Sequence, residues 1–193
     1  EKSLLKCIKF THILDEVGMH IRDAHPADAE AITAIYNDAV LHTTAIWNDV
    51  PVDVANRLAW IADRKEQGYP VLVAVNENNV VTGYASFGDW RAWGGYRYTV
   101  EHSVYVRDHQ RGCGIGEALM IKLIERAREN GKHVLVAGIE ASNIGSIRLH
   151  EKLGFESAGL IRQVGAKFDK WLDLAFMQLT LDDRDTPDPL QDA

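Results

Sequence analysis

Residues Tyr98 to Ala127 read YTVEHSVYV, then RDHQRGCGIG, then EALMIKLIERA, and this stretch predicts strand, glycine-rich turn, helix. Tyr98 to Val106 is rich in β-branched and aromatic residues, and its alternation puts Thr99, Glu101, Ser103 and Tyr105 on one face and Val100, His102, Val104 and Val106 on the other. After the turn, Ile115, Leu119, Leu123 and Ala127 recur at helical spacing, with Glu117, Lys122, Arg126 and Glu129 largely opposite them. The glycines therefore sit where a strand hands over to a helix.

The first turn of a helix offers unpaired backbone N–H groups and the positive end of its dipole, which suits phosphate oxygens. Gly112, Gly114 and Gly116 let a ligand approach the main chain, and Arg107, His109 and Arg111 add positive charge. Two other phosphate-binding turns fit less well. A P-loop needs Lys then Ser or Thr after its last glycine, where this chain has Glu117 and Ala118. A dinucleotide-binding unit opens its domain and carries an acidic residue about 20 residues on, but this turn lies past mid-chain and Glu129 to Gly131 only ends the helix.

A length of 193 residues, 46% of them hydrophobic, fits one globular domain with a sizeable core. The net charge of −7 argues against broad attraction to nucleic acid or to an anionic membrane, and the basic cluster at Arg107 to Arg111 stands out against it. No apolar run approaches the roughly 18 residues of a membrane span. Cys7 and Cys113 form neither a disulfide framework nor a metal-ligand spacing, which fits a reducing cytoplasm, and no metal is expected.

Residues 1–18 lack the apolar core and cleavage site of a secretory signal and are expected to be a leader or upstream extension. The folded domain is expected over 19–182. An amphipathic helix is predicted from Pro26 to Leu41, and Asp53 is read as the N-cap of a second helix closed by Gly68. A hairpin with a turn at Glu77 to Asn79 follows, then the aromatic segment DWRAWGGYR and the central strand. After the central helix come the buried-type strand HVLVAGIE, a short helix capped by Asn143, and two strands joined by AKFDK. The order β, α, α, β, β, β, α, β, α, β, β gives a mixed α/β sheet, and the crossover helix implies that the central strands are parallel. Residues 183–193, acidic and with two prolines, are expected to be a disordered tail.

HQRGCGIG after VEHSVYV, followed by NIGSIRLHEKLGF, resembles the GNAT superfamily of N-acetyltransferases. Arg111, Gly114 and Gly116 match its R/Q-x-x-G-x-G/A pyrophosphate loop, and Asn143, Ser146, Leu149, Glu151, Lys152, Gly154 and Phe155 match its second motif. YNDAV, TVEHSVYV, HQRGCGIG and FDKWLDLAFMQL are more narrowly similar to phosphinothricin and methionine sulfoximine acetyltransferases. The resemblance implies a mostly antiparallel sheet with one splayed parallel pair at its centre and flanking helices. It implies acetyl-CoA as co-substrate, its pantetheine between the splayed strands along Val104, Tyr105 and Val106. The pyrophosphate would lie on the turn formed by Arg111, Gly112, Cys113, Gly114, Ile115, Gly116 and Glu117, with Asn143 and Ser146 beside the amide arm. It also implies direct transfer to an amine in a ternary complex, so Cys113 needs no nucleophilic role, and a homodimer whose C-terminal strands lie near both sites.

An amine attacking a thioester must lose a proton, the carbonyl oxygen must be stabilised, and a thiolate must leave. Glu101, mid-strand on the face shared with Ser103, is the candidate base, acting through water; the competing structural role is an ion pair with Arg97 or a histidine. The resemblance implies that a main-chain N–H near Val104 to Val106 meets the oxygen. Where many relatives carry a tyrosine this chain has His150, leaving two alternatives: His150 supplies the thiolate's proton, or the thiolate leaves unaided. Arg91 is the first choice for a substrate carboxylate and Arg97 the second, with Trp47, Trp90 and Trp93 as candidate apolar walls or dimer contacts.

The function expected is N-acetylation of the α-amine of a small amino acid analogue such as methionine sulfoximine, methionine sulfone or phosphinothricin. The alternatives are acetylation of a protein or peptide amine, which calls for an open groove with acidic walls, and a non-catalytic acyl-CoA-binding sensor, against which Glu101 argues.

Overall fold

The computed structural model describes residues 18–188. The expectations for the leader and for the end of the tail lie outside the described residues, apart from Gly18 and residues 183–188. The elements follow the predicted order: β1 (His20–Asp23), α1 (Ala29–His42), α2 (Val54–Glu66), β2 (Val71–Val75), β3 (Val81–Asp89), β4 (Thr99–Val106), α3 (Ile115–Glu129), β5 (Val134–Glu140), α4 (Ile144–Lys152), β6 (Glu156–Lys167) and β7 (Lys170–Thr180). One seven-stranded sheet runs in the order β1-β2-β3-β4-β5-β7-β6. Every pairing is antiparallel except β4 with β5, the pair bridged by α3.

Two apolar clusters hold helices on opposite faces of the sheet. Ile32 and Ile35 of α1 and Ile61 of α2 pack on Val71, Val73, Val75 and Tyr84. On the other face, Leu119, Met120 and Leu123 of α3 meet Leu72, Ala85, Val100 and Leu135. The period-2 alternation of β4 therefore aims Glu101, Ser103 and Tyr105 at the α1 and α2 side, and His102 and Val104 at the α3 and α4 side.

Both predicted caps form. Asp53 accepts from Asn56 N at 2.8 Å and Asn143 accepts from Ser146 N at 3.1 Å. The first helix differs from its predicted start, because Pro26–Asp28 is a separate 3-10 turn. Its cause is Asp28, whose carboxylate takes the His25 N–H at 2.7 Å and a two-pronged pairing from Arg22 at 2.7 and 2.9 Å. The last hairpin is also tighter than the AKFDK joint predicts. Its ladder continues to Lys167↔Lys170, leaving Phe168 and Asp169 as a two-residue turn with φ of 52 and 59°. Such a turn normally advertises itself with Asn-Gly or Asp-Gly, where this hairpin has Phe168-Asp169.

Beyond β7, Arg184 pairs with Asp182 at 2.7 Å and Asp188 at 2.8 Å and donates to Gly131 O at 3.0 Å. Among the described residues no helix is long and apolar enough to cross a membrane.

Candidate active site

The parallel pairing of β4 with β5 covers only Thr99↔Val134, Val100↔Leu135 and Glu101↔Val136. Beyond Glu101 the strands diverge, so the β5-facing edge of Ser103 to Val106 has no ladder partner while β3 still pairs β4 as far as Val106. An opened sheet leaves main-chain donors and acceptors free for a ligand, because a buried backbone group requires a partner.

A cleft of about 520 Å³ runs from this opening to the glycine turn, within the size range of ligand sites. Val104 to Val106 form one side, Gln110 to Gly112 with Gly114 and Gly116 close its end, and Asn143 and Ser146 line the opposite wall. Gly112 and Gly114 have φ of 80 and 82°, where a side chain would be strained, and nothing lies within 4 Å of where their Cβ atoms would be. Gly114 is the N-cap of α3 and offers no capping side chain, so the first-turn N–H groups await another acceptor. Arg111 stands beside them, its Nη2 3.5 Å from Asp38 and its Nε 3.4 Å from Val106 O. A diphosphate with a long amide-bearing arm fits this cradle.

The remaining turn residues divide by role. The Ile115 side chain belongs to the core. Glu117 lines the cleft with its carboxylate held by Lys152 Nζ at 2.6 Å. Cys113 is exposed, its Sγ 3.8 Å from Arg111 O.

Glu101 sits at the fork itself. Its Oε1 lies against Gly138 of β5, where an added Cβ would come within 2.9 Å. Burial raises its carboxyl above the ordinary glutamate value, and the charge of Arg91 only partly offsets this. Glu101 and Ser103 also line a second cavity of about 300 Å³, on the α2 side, with Trp60, Arg64, Asp89 and Tyr105. One carboxylate thus stands where the strands part and lines the second cavity.

On the other face His102 and His150 stack with ring centroids 5.0 Å apart and Nε2 atoms 3.1 Å apart. His150 Nδ1 lies 2.7 Å from Ser146 O, and a carbonyl only accepts, so Nδ1 carries the proton. With both rings neutral, His150 Nε2 then accepts from His102 Nε2–H, leaving His102 Nδ1 as a bare lone pair; that atom is out of solvent and has no partner. Burial lowers both pKa values, that of His102 well below the usual, which favours this neutral arrangement.

The structure separates the other sequence candidates. Arg91 is exposed, its guanidinium 4.2 Å from the Trp90 ring centroid, and its charge reaches Glu101 without its side chain lining the second cavity. Arg97 turns away, donating to Gly94 O at 3.2 Å and Asp188 O at 3.3 Å. Trp47 lines neither cavity; its ring lies on Gly165 and its indole N–H donates to Thr44 O at 2.8 Å. Trp90 packs edge-on against Phe176, and Trp93 is 78% exposed.

Sequence reasoning missed Arg64, Gly138 and Lys167. Lys167 is 4% exposed, yet its ammonium donates to the carbonyls of Val40, Thr43 and Ile46 at 2.5, 2.7 and 2.6 Å. It thereby fixes the loop after α1, whose Thr43, Thr44 and Ala45 line the first cleft. Gly138 and Gly165, unexplained inside strand patterns, were the legible sign that something approaches the backbone closely.

A sheet that splays at its one parallel pair, above a glycine turn opening a helix, defines an acyl-CoA-dependent N-acetyltransferase fold. Residues 32–155 match the model of the Acetyltransferase (GNAT) family, and the chain belongs to that family. It is an acetyltransferase with acetyl-CoA as donor. It is 61% identical over 170 residues to the L-methionine sulfoximine/L-methionine sulfone acetyltransferase of Salmonella typhimurium, covering 88% of this chain and 99% of that one. The fold matches a Salmonella typhimurium structure with its cofactor acetyl-CoA at a TM-score of 0.87 and 61% identity, over 89% of this chain and 98% of that one. It also matches a phosphinothricin acetyltransferase from Sinorhizobium meliloti in complex with acetyl-CoA, at a TM-score of 0.86 and 37% identity, over 90% and 94% of the two chains.

Proposed function

We propose that this enzyme acetylates the α-amine of a small amino acid analogue of the methionine sulfoximine, methionine sulfone or phosphinothricin kind, by direct transfer in a ternary complex. The observation that carries the proposal is the place of Glu101, at the fork where the strands part and in the lining of the second cavity. When bound, acetyl-CoA supplies a thioester carbonyl open to attack by an amine. Glu101 takes the proton of the substrate ammonium through water; its raised pKa brings it nearer to neutrality, where a base is effective. Free main-chain N–H groups of β4 between Val104 and Val106 meet the charge on the carbonyl oxygen. Arg91, whose charge reaches Glu101, holds the substrate carboxylate.

His150 has its own proton committed to Ser146, and releasing another from Nε2 would require a buried imidazolium. Its role is therefore to hold Ser146 and the first turn of α4 against the cofactor arm, and the thiolate leaves without a side-chain acid. A cavity of about 300 Å³ suits an amino acid better than a peptide segment, and the names of the relatives agree. A homodimer through the sheet edge is supported by β6, the terminal strand, where Leu160, Ile161 and Val164 are about half exposed, beside Trp171 of β7 at 69%. A reducing, cytoplasmic setting is supported by the exposed free thiol of Cys113.

Thiol release measured over a panel of amino acid analogues, simple amines and peptides tests the function. Turnover is expected with the sulfone, sulfoximine and phosphinate amino acids. Turnover on peptides alone, or acetyl-CoA binding with no turnover, would refute it.

A further inference from the structure

The second cavity contains a guanidinium to which the mechanism above gives no task. Arg64 of α2 lines the wall that also carries Glu101 and Ser103. Its head group lies flat on Gly88, where an added Cβ would come within 2.5 Å of Nη1 and 2.7 Å of Cζ and Nη2. Gly88 is the register partner of Glu101. The guanidinium thus occupies the place of a cross-strand neighbour, about 5 Å from the Glu101 Cβ by the usual spacing of such pairs. Its hydrogen bonding is incomplete. Nη1 donates to Gln67 Oε1 at 2.9 Å, while Nε is buried without a partner. Among the described residues no carboxylate forms an ion pair with Arg64, and the nearby Asp89 carboxylate is taken by the Tyr69 hydroxyl.

We propose that Arg64 is the specificity-determining residue that recognises an oxygen on the acceptor's side chain, the sulfonyl or sulfoximine oxygen, while Arg91 holds the α-carboxylate. The assignment rests on the small amino acid reading above. Its physical basis is the difference in position of the two arginines. Arg91 is exposed and outside the cavity lining, so a strongly hydrated carboxylate that it holds keeps part of its water; Arg64 is half-buried and lines the cavity with Trp60, Phe87 and Tyr105. Burying a neutral but strongly polar S=O costs less than burying a carboxylate, provided that a donor meets it. A five-donor guanidinium with one N–H engaged, by Gln67 Oε1, is such a donor. A hydrocarbon side chain of the same length would fill the space and leave those donors unanswered, which is how a polar site rejects an apolar isostere.

The test compares kcat/KM for methionine sulfone and for norleucine, which share the amine and carboxylate and differ in the oxygens, using the full chain and its Arg64→Met and Arg64→Lys variants. Arg64→Met is expected to reduce the sulfone-to-norleucine ratio by about 10- to 100-fold, the usual worth of a hydrogen bond to a charged group. Arg64→Lys should recover part of it, since the charge remains and the fork does not. A ratio that stays constant, whether both values fall together or neither does, overturns the proposal and makes Arg64 structural or a carboxylate ligand. Acetyl-CoA titration and a melting curve check that each variant folds; should Arg64→Met fail, Gly88→Ala displaces the same guanidinium from its seat and is read by the same ratio. Absence of turnover on every amino acid with the unmodified chain is a different result: it refutes the substrate class, and the Arg64 assignment with it.

Discussion

Replacing Lys167 by Met keeps the aliphatic stem and removes an ammonium that bridges the last hairpin to the end of α1. The three carbonyls it serves do not respond alike. Val40 O is buried and belongs to the last turn of α1, while the bonds to Thr43 and Ile46 are partly accessible, so water can replace those two. Leaving one buried carbonyl unpaired costs about 1–3 kcal/mol, and losing a cation at a helix C-terminus adds about 0.3–1 kcal/mol. Some of this is offset, because burial lowers the pKa of Lys167 and only the charge of Asp49 opposes that. A net loss of about 2–3 kcal/mol follows, which for a domain of this size is about 4–12 °C in Tm. The loop carrying Thr43, Thr44 and Ala45 then loses its anchor, so the KM for acetyl-CoA should rise along with the fall in Tm. Scanning fluorimetry and a cofactor titration read both effects, with the exposed Lys170→Met as the control from the same hairpin. A Lys167→Met protein that melts within about 1 °C of that control, against the loss expected for a buried unpaired carbonyl, would show that the bridge contributes nothing.

Glu101→Gln should lower kcat by about 10²–10⁴-fold with acetyl-CoA affinity nearly unchanged. It should also leave Tm at pH 7 equal or higher: an acid whose pKa is raised by folding loses stability as pH rises through that interval, and Gln does not titrate. A lower Tm with an intact rate would make Glu101 structural. Asp28 behaves in the opposite way. Desolvation alone would raise its carboxyl, but the Arg22 pairing and the His25 N–H outweigh it and hold the value below normal. The stabilisation is complete above the unfolded pKa of about 4 and is lost as pH falls through the folded value. The Tm gap between the wild type and Asp28→Asn should therefore narrow on acidification; a gap independent of pH would refute the pairing as its source. Gly138→Ala puts a methyl 2.9 Å from Glu101 Oε1, so kcat should fall while Tm changes little. Unaltered kcat would mean that the carboxylate does not work from the fork.

The cofactor half of the site was readable in the chain because its signals are local. A glycine turn between a strand and a helix, and an Asn cap at the next helix, are properties of neighbouring residues, and the order of elements along the chain followed from the same runs. The acceptor half depends on where distant segments meet. Nothing local to β4 says that its pairing with β5 stops at Glu101. Nothing near Arg97 says that the segment after β7 captures it at Asp188 O, nor does the Trp47 loop show that the last hairpin will seat its indole.

Three strand glycines join these failures into one rule. Each leaves room for a side chain from elsewhere: Arg64 lies on Gly88, Glu101 on Gly138 and Trp47 on Gly165. A glycine inside a strand weakens it and gives nothing to pack, so its presence there needs a compensating close approach. Two of these approaches, at Gly88 and Gly138, shape the second cavity, and the third, at Gly165, seats Trp47 beside the loop that Lys167 secures and that lines the first cleft. At Gly88 and Gly138 the sheet is thus thinned, and the side chains laid in those two gaps, Arg64 and Glu101, line a pocket that no continuous segment of the chain encodes. The same reasoning makes Gly88, though it touches neither reacting group, as sensitive to substitution as a residue of the site.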